Sequence, residues 1–440
     1  MFYVNKTWDK TCIVLTLFEL CVFLNSCSEE DYLVPEWPLE PLDSLLMEKM
    51  TDADLPIVRI ETVADEEPSY EIADPPKGCL GGSIRNAKKV PGRMVMYDKA
   101  DIVYDSGEYV EKQSGMTMKV RGNWSARRPK KPFKIKLQRK ADLLGRENRC
   151  FEDKDWLLMP FYHMNAYIGL RVNELMDLQW TPRFCYVNLV VNGEYRGLYM
   201  LMESVERNAD CRLNVDRNEG YIIELDAYWW NEPNYVRASF DESLNYTFKY
   251  PDEDDLTDDK LNYVQKLVSD AEKSTRDGSY QKWIDVESFA RWMLAHDILG
   301  NSDGAGANMF LTKYDSTNES LLKMGCMWDF DVIMKSGGWD EIHDRYFFKG
   351  LFASENRTFV NRYVTLWQEM KGSIFDQLER DLDSYLESDL RKAVDASIIM
   401  NNDRWAAEMY GLPASETFIE EAKAYLRQQK VWLESAIRNL

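Results

Sequence analysis

Asn192-Gly193 lies between two runs rich in β-branched and aromatic residues, in "RFCYVNLVVNGEYRGLYMLME" at 183–203. A two-residue hairpin turn needs positive φ at both central positions, and Asn and Gly tolerate it best, so the register of both strands is set locally. "LPIVRIETV", "MTMKVRGN" and "PFKIKL" read as further strands. In the last, Phe133, Ile135 and Leu137 share one face, which leaves Lys134 and Lys136 on the other. "AYIGLRVNELMDL" has helical spacing at Ile168, Val172 and Leu175. Beyond "KYPDEDDLTDDK" the pattern changes: about Asp258–Thr275, Val286–Leu299 and most of Asn361–Leu440 show helical periodicity. The acids from Asp252 to Asp259 lack the glycine and ligand spacing of a calcium loop and read as a helix start. The fold class expected is α+β, β-rich first and helical later, with a site in the cleft where the two parts join.

The N-terminus points to export. Lys6 and Lys10 precede "CIVLTLFELCVFL", an apolar run too short to span a bilayer and interrupted by Glu19, as in a signal peptide. It ends in "LNSC", which resembles a bacterial lipobox with Cys27 as the lipidated residue. "SEED" follows, similar to the acidic tract of some surface-exported lipoproteins. The expectation is residues 1–27 as signal and lipobox, 28–54 as an acidic, Pro-rich tether, and a lipid anchor through Cys27 in an outer membrane or at the cell surface. Five cysteines then remain, Cys79, Cys150, Cys185, Cys211 and Cys326, odd in number and without C-x-x-C spacing, so neither a disulfide framework nor a zinc site is indicated. A net charge of -21 argues against a nucleic-acid partner.

The chemistry-bearing residues are mainly acidic. The three histidines, His163, His296 and His343, form no H-E-x-x-H, and there is no G-x-S-x-G, which disfavours zinc and serine hydrolases. His296, beside Asp297 on a helix, reads as structural. Asp303 in "ILGNSDGAGANMFLTKYD" is followed five positions later by Asn308, and "MGCMWDFDVIM" places Asp329 and Asp331 after an apolar, strand-like run. Protein kinases use this order: one Asp for the attacking hydroxyl, then an Asn and a second Asp on magnesium. Such a site needs a cation from the β-rich part, Lys136 by preference or else Lys134, with Glu174 a candidate partner for it. Arg121 and the backbone near Gly122 and Asn123 could meet phosphate. The alternatives are a helix cap for Asp303, a turn cap for Asp329 with Asp331 exposed, and an exposed hairpin loop around Arg121.

"RGNWS", "KKPFKIKL", "KDWLLMPFY", "GLRVNEL", "TPRFCYVNLVVNGEYRGLYMLME", "GYIIELD", "KYPDEDD", "WIDVESFARWMLAHDILGNSDGAGANMFLTKYD" and "MWDFD" run in order from about Leu55 through Asp331. Together they resemble the CotH kinase family, atypical protein kinases related to spore coat protein H. The resemblance implies a divergent two-lobed kinase-like fold, with a β-rich lobe at about 55–205 and a helical lobe at about 206–440. It implies ATP with Mg2+ or Mn2+, and phosphate transfer to Ser/Thr hydroxyls of an envelope or surface protein, or of the chain itself. By position, Asp303 resembles the catalytic aspartate, Asn308 with Asp329 or Asp331 the metal ligands, and Glu203 a hinge or adenine-side residue. Two features depart from the family pattern: Arg171-Val172 replaces an Arg-Asn pair, and the glycine expected soon after W-D-F-D comes only at Gly337. The competing expectations are an inactive kinase-like surface module for binding or assembly, and a phosphate-ester hydrolase.

Overall fold

The computed structural model describes residues 41–160, 163–240, 243–301, 304, 308–334, 341–408 and 411–440. Residues 1–27, Cys27, Asp303 and Gly337 lie outside the described residues.

Folding starts earlier than the tether expectation allowed. Helix α1 (Ser44–Asp52) is capped by Asp43, whose Oδ1 accepts the Leu46 N–H at 2.8 Å. Leu46, Met47 and Met50 form its apolar stripe, and Met50 is fully buried against Ile57 and Val190. The surrounding acids and prolines hid this three-residue stripe.

The N-terminal half is a closed barrel. Its strands are β1 (Ile57–Thr62), β4 (Val90–Asp98), β6 (Met116–Val120), β7 (Phe133–Ala141), β8 (Asp153–Met159), β9 (Phe184–Val191) and β10 (Glu194–Glu203). A short pair, β2 (Glu71–Ile72) with β3 (Ile84–Arg85), stands apart, and β5 (Asp101–Asp105) hangs on β4. Barrel order is β1-β9-β10-β8-β7-β6-β4, and pairing of β1 with β4 closes the ring of seven. Closure leaves those strands no free edge. The β9–β10 hairpin pairs Val191 with Glu194 around Asn192 (φ 50) and Gly193 (φ 72), the turn the dipeptide dictates. Phe133, Ile135 and Leu137 are buried in the barrel core with Trp156 and Tyr199.

Helix α2 (His163–Leu175) links β8 to β9. The second half is not helical throughout: it holds a five-stranded antiparallel sheet in the order β12 (Tyr235–Arg237), β13 (Asn245–Tyr250), β11 (Tyr221–Asp226), β14 (Met309–Lys313), β15 (Lys323–Met324). β11 and β14 are buried along their whole length, so they show no alternation for a period-2 reading to find. The apolar run ahead of Asp329 is not a strand beyond Met324; Cys326 and Met327 are buried as irregular chain.

The helices fit their signals closely. α3 (Asp258–Asp277) is capped by Thr257 with Asp258 and Asp259 in its first turn, so the end of the acid run is a helix start, while Glu253–Asp255 form a separate 3-10 turn ahead of it. α4 (Val286–Leu299) is capped by Asp285 and ends at left-handed Gly300. α5 (Tyr346–Ala353), α6 (Thr358–Met370), α7 (Ser373–Glu387), α8 (Asp389–Trp405) and α9 (Ser415–Ile437) complete the fold, and the main core runs through them, α2 and the second sheet.

α8 is fastened to the barrel by a buried lysine. Lys130, 1% exposed, donates to Pro160 O (3.0 Å), Leu198 O (2.8 Å) and Asn401 Oδ1 (2.7 Å), which uses all three ammonium protons. Gly197 (φ 104) lets α8 approach, because a Cβ there would stand 2.5 Å from Asn401 Oδ1. Gly197→Ala is therefore expected to cost about 2–4 kcal/mol, read as a lower urea midpoint at unchanged slope.

Candidate functional site

Two adjoining cavities of about 450 Å³ each open where the end of β6, strands β11 and β13, and the chain at 325–334 come together. Arg121, Gly122, Asn123, Glu224, Asp226 and Asn308 line both. Asp329 and Asp331 line the second, over an apolar floor that includes Met159, Met200 and Met202. The structure thus brings Arg121, Asn308, Asp329 and Asp331 to one place.

Backbone conformation aims the polar groups. Asn308 (φ 65) and Asp329 (φ 59) are left-handed, a conformation that Asn and Asp tolerate better than most residues. Asp329 Oδ1 accepts the Asp331 N–H at 3.4 Å, so the two acids turn the chain between them. The Arg121 guanidinium donates to Met159 Sδ at 3.0 Å. Burial pushes its pKa down, while Asp329 and Glu224 push it back up.

Lys134 and Lys136 separate. Lys134 lines the first cavity, 2.8 Å from Asp155 Oδ1 and 3.4 Å from Glu206 Oε1. Burial would lower its pKa, but Asp155 and Glu206 outweigh burial and raise it. Lys136, the preferred residue from sequence, is 54% exposed, 4.0 Å from Asp155 Oδ2, and lines neither cavity. Glu174 pairs with Arg171 (2.7 Å) and Arg183 (2.8 Å), not with a β7 lysine. Glu203 is 1% exposed, 2.9 Å from Arg146 and 3.9 Å from Arg212, and lines neither cavity; the adjacent Ser204, Val205 and Glu206 line the first. It anchors loops behind the cleft.

Helix α2 holds the acidic loop. Asn165 Nδ2 donates to Phe330 O at 2.8 Å, and Asn173 Oδ1 accepts the Met327 N–H at 2.7 Å. Gly169 lies between them at four-residue spacing, so the three share one face. A Cβ at Gly169 would stand 2.1 Å from the Phe330 ring. At the end of α4, Asn301 Nδ2 reaches Asp329 O at 3.2 Å. His296 is buried against Trp292, ring centroids 3.8 Å apart, and burial pushes its pKa down to about 3, which suits the structural role expected. Its neighbour Asp297 lies 3.1 Å from His343 Nε2 and accepts the Tyr363 hydroxyl at 2.5 Å, tying α4 to α6.

Several cleft residues escaped the sequence reading. Glu224 and Asp226 stand two apart on β11 and so share a face; Lys249 on β13 is 2.7 Å from Glu224 Oε2. Asp226 accepts the Tyr228 N–H at 2.7 Å and the Thr247 hydroxyl at 3.2 Å. Burial and then Glu224 raise its pKa to about 7. The signal was present in "YIIELD", where two acids interrupt an apolar strand at same-face spacing. Lys119 also faces the first cavity as the cross-strand neighbour of Lys134, and its pKa is pushed down by burial and by Lys134. Among the described residues no salt bridge holds Lys119.

A model of the family described as CotH kinase protein matches residues 118–432, more than two thirds of the chain. The chain belongs to the CotH kinase family. The CotH match takes in Arg121, Lys134, Glu224, Asn308, Asp329 and Asp331, and begins inside β6. No curated protein matches the chain.

Two consequences are measurable. Alanine favours helices over glycine, yet Gly169→Ala should destabilise by about 1–3 kcal/mol through the Phe330 ring, and the cost should shrink in a Phe330→Ala background. Asp226 has a raised folded pKa, so its contribution is complete below an unfolded pKa near 4 and is lost as pH rises through 7. Relative to Asp226→Asn, the wild type should therefore lose about 2–4 kcal/mol between pH 4 and 7, measured by urea unfolding across that range.

Proposed function

We propose that the chain is an atypical protein kinase that transfers the γ-phosphate of ATP to Ser or Thr hydroxyls of an envelope or surface protein, or of itself, with Mg2+ or Mn2+. The observation that carries this reading is the convergence of Asn308, Asp329 and Asp331 on one cavity with the Arg121 guanidinium. Carboxylate and amide oxygens are the hard donors such an ion takes. A bound ion would supply charge neutralisation at the phosphate oxygens.

Around it, Arg121 and Lys119 face the triphosphate as cations, with Lys134 behind them. The acceptor hydroxyl oxygen bonds to the γ-phosphorus while the bridging oxygen leaves with ADP, and Asp303, by its place in the family order, takes the hydroxyl proton. The barrel with α2 acts as one lobe and the helical part as the other. "LNSC" and "SEED" support an exported lipoprotein held through Cys27 at an outer membrane or cell surface.

A second reading, a kinase-like binding module without transfer, draws on Lys134, whose ammonium is already shared by Asp155 and Glu206. The deciding experiment incubates the protein with γ-labelled ATP and Mg2+ or Mn2+, beside Asp303→Ala and Asp331→Ala. Label on the wild type, reduced about 100-fold or more in both variants, supports transfer. Metal-dependent nucleotide binding without label selects the binding module, and absence of both overturns the two readings together.

A further inference from the structure

We propose that Cys150 and Cys211 form a redox-active pair that closes into an intramolecular disulfide and staples one wall of the cleft. The proposal stands whether or not the cleft transfers phosphate, because it rests on other residues.

The two cysteines are 61 positions apart, and the fold brings them into contact. Cys150 lies in the turn Arg149–Phe151 that leads into β8. Cys211 lies in the loop between Arg207 and Leu213, whose ends pair as an isolated bridge. The Cys211 Sγ donates to the Cys150 backbone carbonyl at 2.7 Å, which places the two residues side by side.

The surroundings hold both segments still. Asn208 Nδ2 donates to the same Cys150 carbonyl at 3.2 Å. Arg212 is 3.3 Å from Asp153 on β8 and stacks over Trp156 at 5.9 Å. Closing the bond thus asks for side-chain rotation between segments already docked. Both cysteines are partly exposed, so a reagent can reach them, whereas Cys326 is buried.

The chemistry needs an electron acceptor, and a small-molecule or protein disulfide serves. The Cys150 thiolate attacks the acceptor disulfide, a mixed disulfide forms, and one acceptor thiolate leaves. Cys211 then loses its proton and attacks the Cys150 sulfur, releasing the second acceptor thiol. Two protein thiols are oxidised and one acceptor disulfide is reduced to two thiols. The order follows from Cys211, whose thiol is pushed up to about 12 by burial and by Cys150, making it the slower nucleophile and the resolving partner.

Position gives the bond its consequence. Asp155 follows Cys150 by five residues, and Cys211 follows Glu206 by five. Those two acids both hold the Lys134 ammonium. A disulfide would link their supporting segments covalently and fix the lysine between them.

The test uses the full chain, incubated with oxidised glutathione, alkylated, and digested without reduction for peptide mass mapping. The expected result is a Cys150–Cys211 cross-linked peptide as the main oxidised product, with a rise in Tm of several degrees that reductant reverses and Cys211→Ser abolishes. Recovery of the two cysteines as separate glutathione adducts, as alkylated thiols, or bonded to other cysteines overturns the proposal. Should Cys211→Ser fail to fold, the wild-type peptide map decides alone.

Discussion

Residues 325–334 pass through the interior without a strand ladder, so their backbone polar groups must find partners elsewhere, and the arrangement of the cleft follows from where those partners sit. Gly325 N–H goes to Phe310 O on β14, Met327 N–H to Asn173 on α2, and Met334 N–H to Leu299 O at the end of α4. Phe330 O takes Asn165, and Asp329 O takes Asn301. The loop bearing Asp329 and Asp331 is thus held by the second sheet, α2 and α4 together. None of the three could shift without stranding a buried donor or acceptor, which costs on the order of 1–3 kcal/mol each. Gly169 makes the closest approach possible by leaving space for Phe330, itself part of the main core.

Charge in the cleft is divided by neighbourhood. Lys249 is matched by Glu224, and Lys134 by Asp155 and Glu206, each at hydrogen-bonding distance or close to it. Arg121 and Lys119 are not matched in this way, and both have lowered pKa values, with burial the first cause. Nearby acids, Asp329 and Glu224 for Arg121, offset part of that desolvation cost. On the acid side, Asp226 is relieved by raising its pKa towards neutrality, so part of the negative charge is titrated away instead of being paired. The cleft therefore sets two cations that form no salt bridge among the described residues beside the Asp329 and Asp331 loop.

How much of this was legible depended on whether a feature was local. The Asn192-Gly193 turn, the two-faced β7 and the spans of α3 and α4 follow from near neighbours in sequence, and each appears where its pattern places it. Of the second sheet the run after Asn308, β14, reads as strand-like, but the sheet as a whole did not show, because β11 and β14 are buried on both faces and carry no period of two. α1 was masked by the prolines and acids around three apolar residues. Alternation correctly put Lys134 and Lys136 on one face of β7, but choosing between them needed tertiary knowledge: both approach Asp155 on β8, and of the two it is Lys134 that also reaches Glu206 after β10 and lines the cavity. The acids of β11 were visible as an anomaly in an apolar strand, yet only the pairing of β11 with β14 shows that they face Asn308. Likewise, counting cysteines suggested no pair, since contact between residues 61 apart is a property of the fold.

The basic run "RGNWSARRPKK" shows why charge alone could not locate the site. Five cations along it have different fates: Arg121 and Arg128 line the cleft, Arg127 lies over Trp124 at 5.0 Å, Lys131 reaches the Tyr70 hydroxyl at 3.1 Å, and Lys130 is buried under α8. What separates them is the availability of acceptors. Lys130 finds three neutral oxygens arranged for an ammonium, which lets it be buried despite a strongly lowered pKa. One of those oxygens belongs to Pro160, which itself lines the second cavity. The same loop that supplies Arg121 to the cleft is thereby tied to α8 through Asn401. Displacing α8 would strand Lys130, and with it would move the turn that aims the guanidinium, so α8 and the Arg121 edge of the barrel are mechanically one piece.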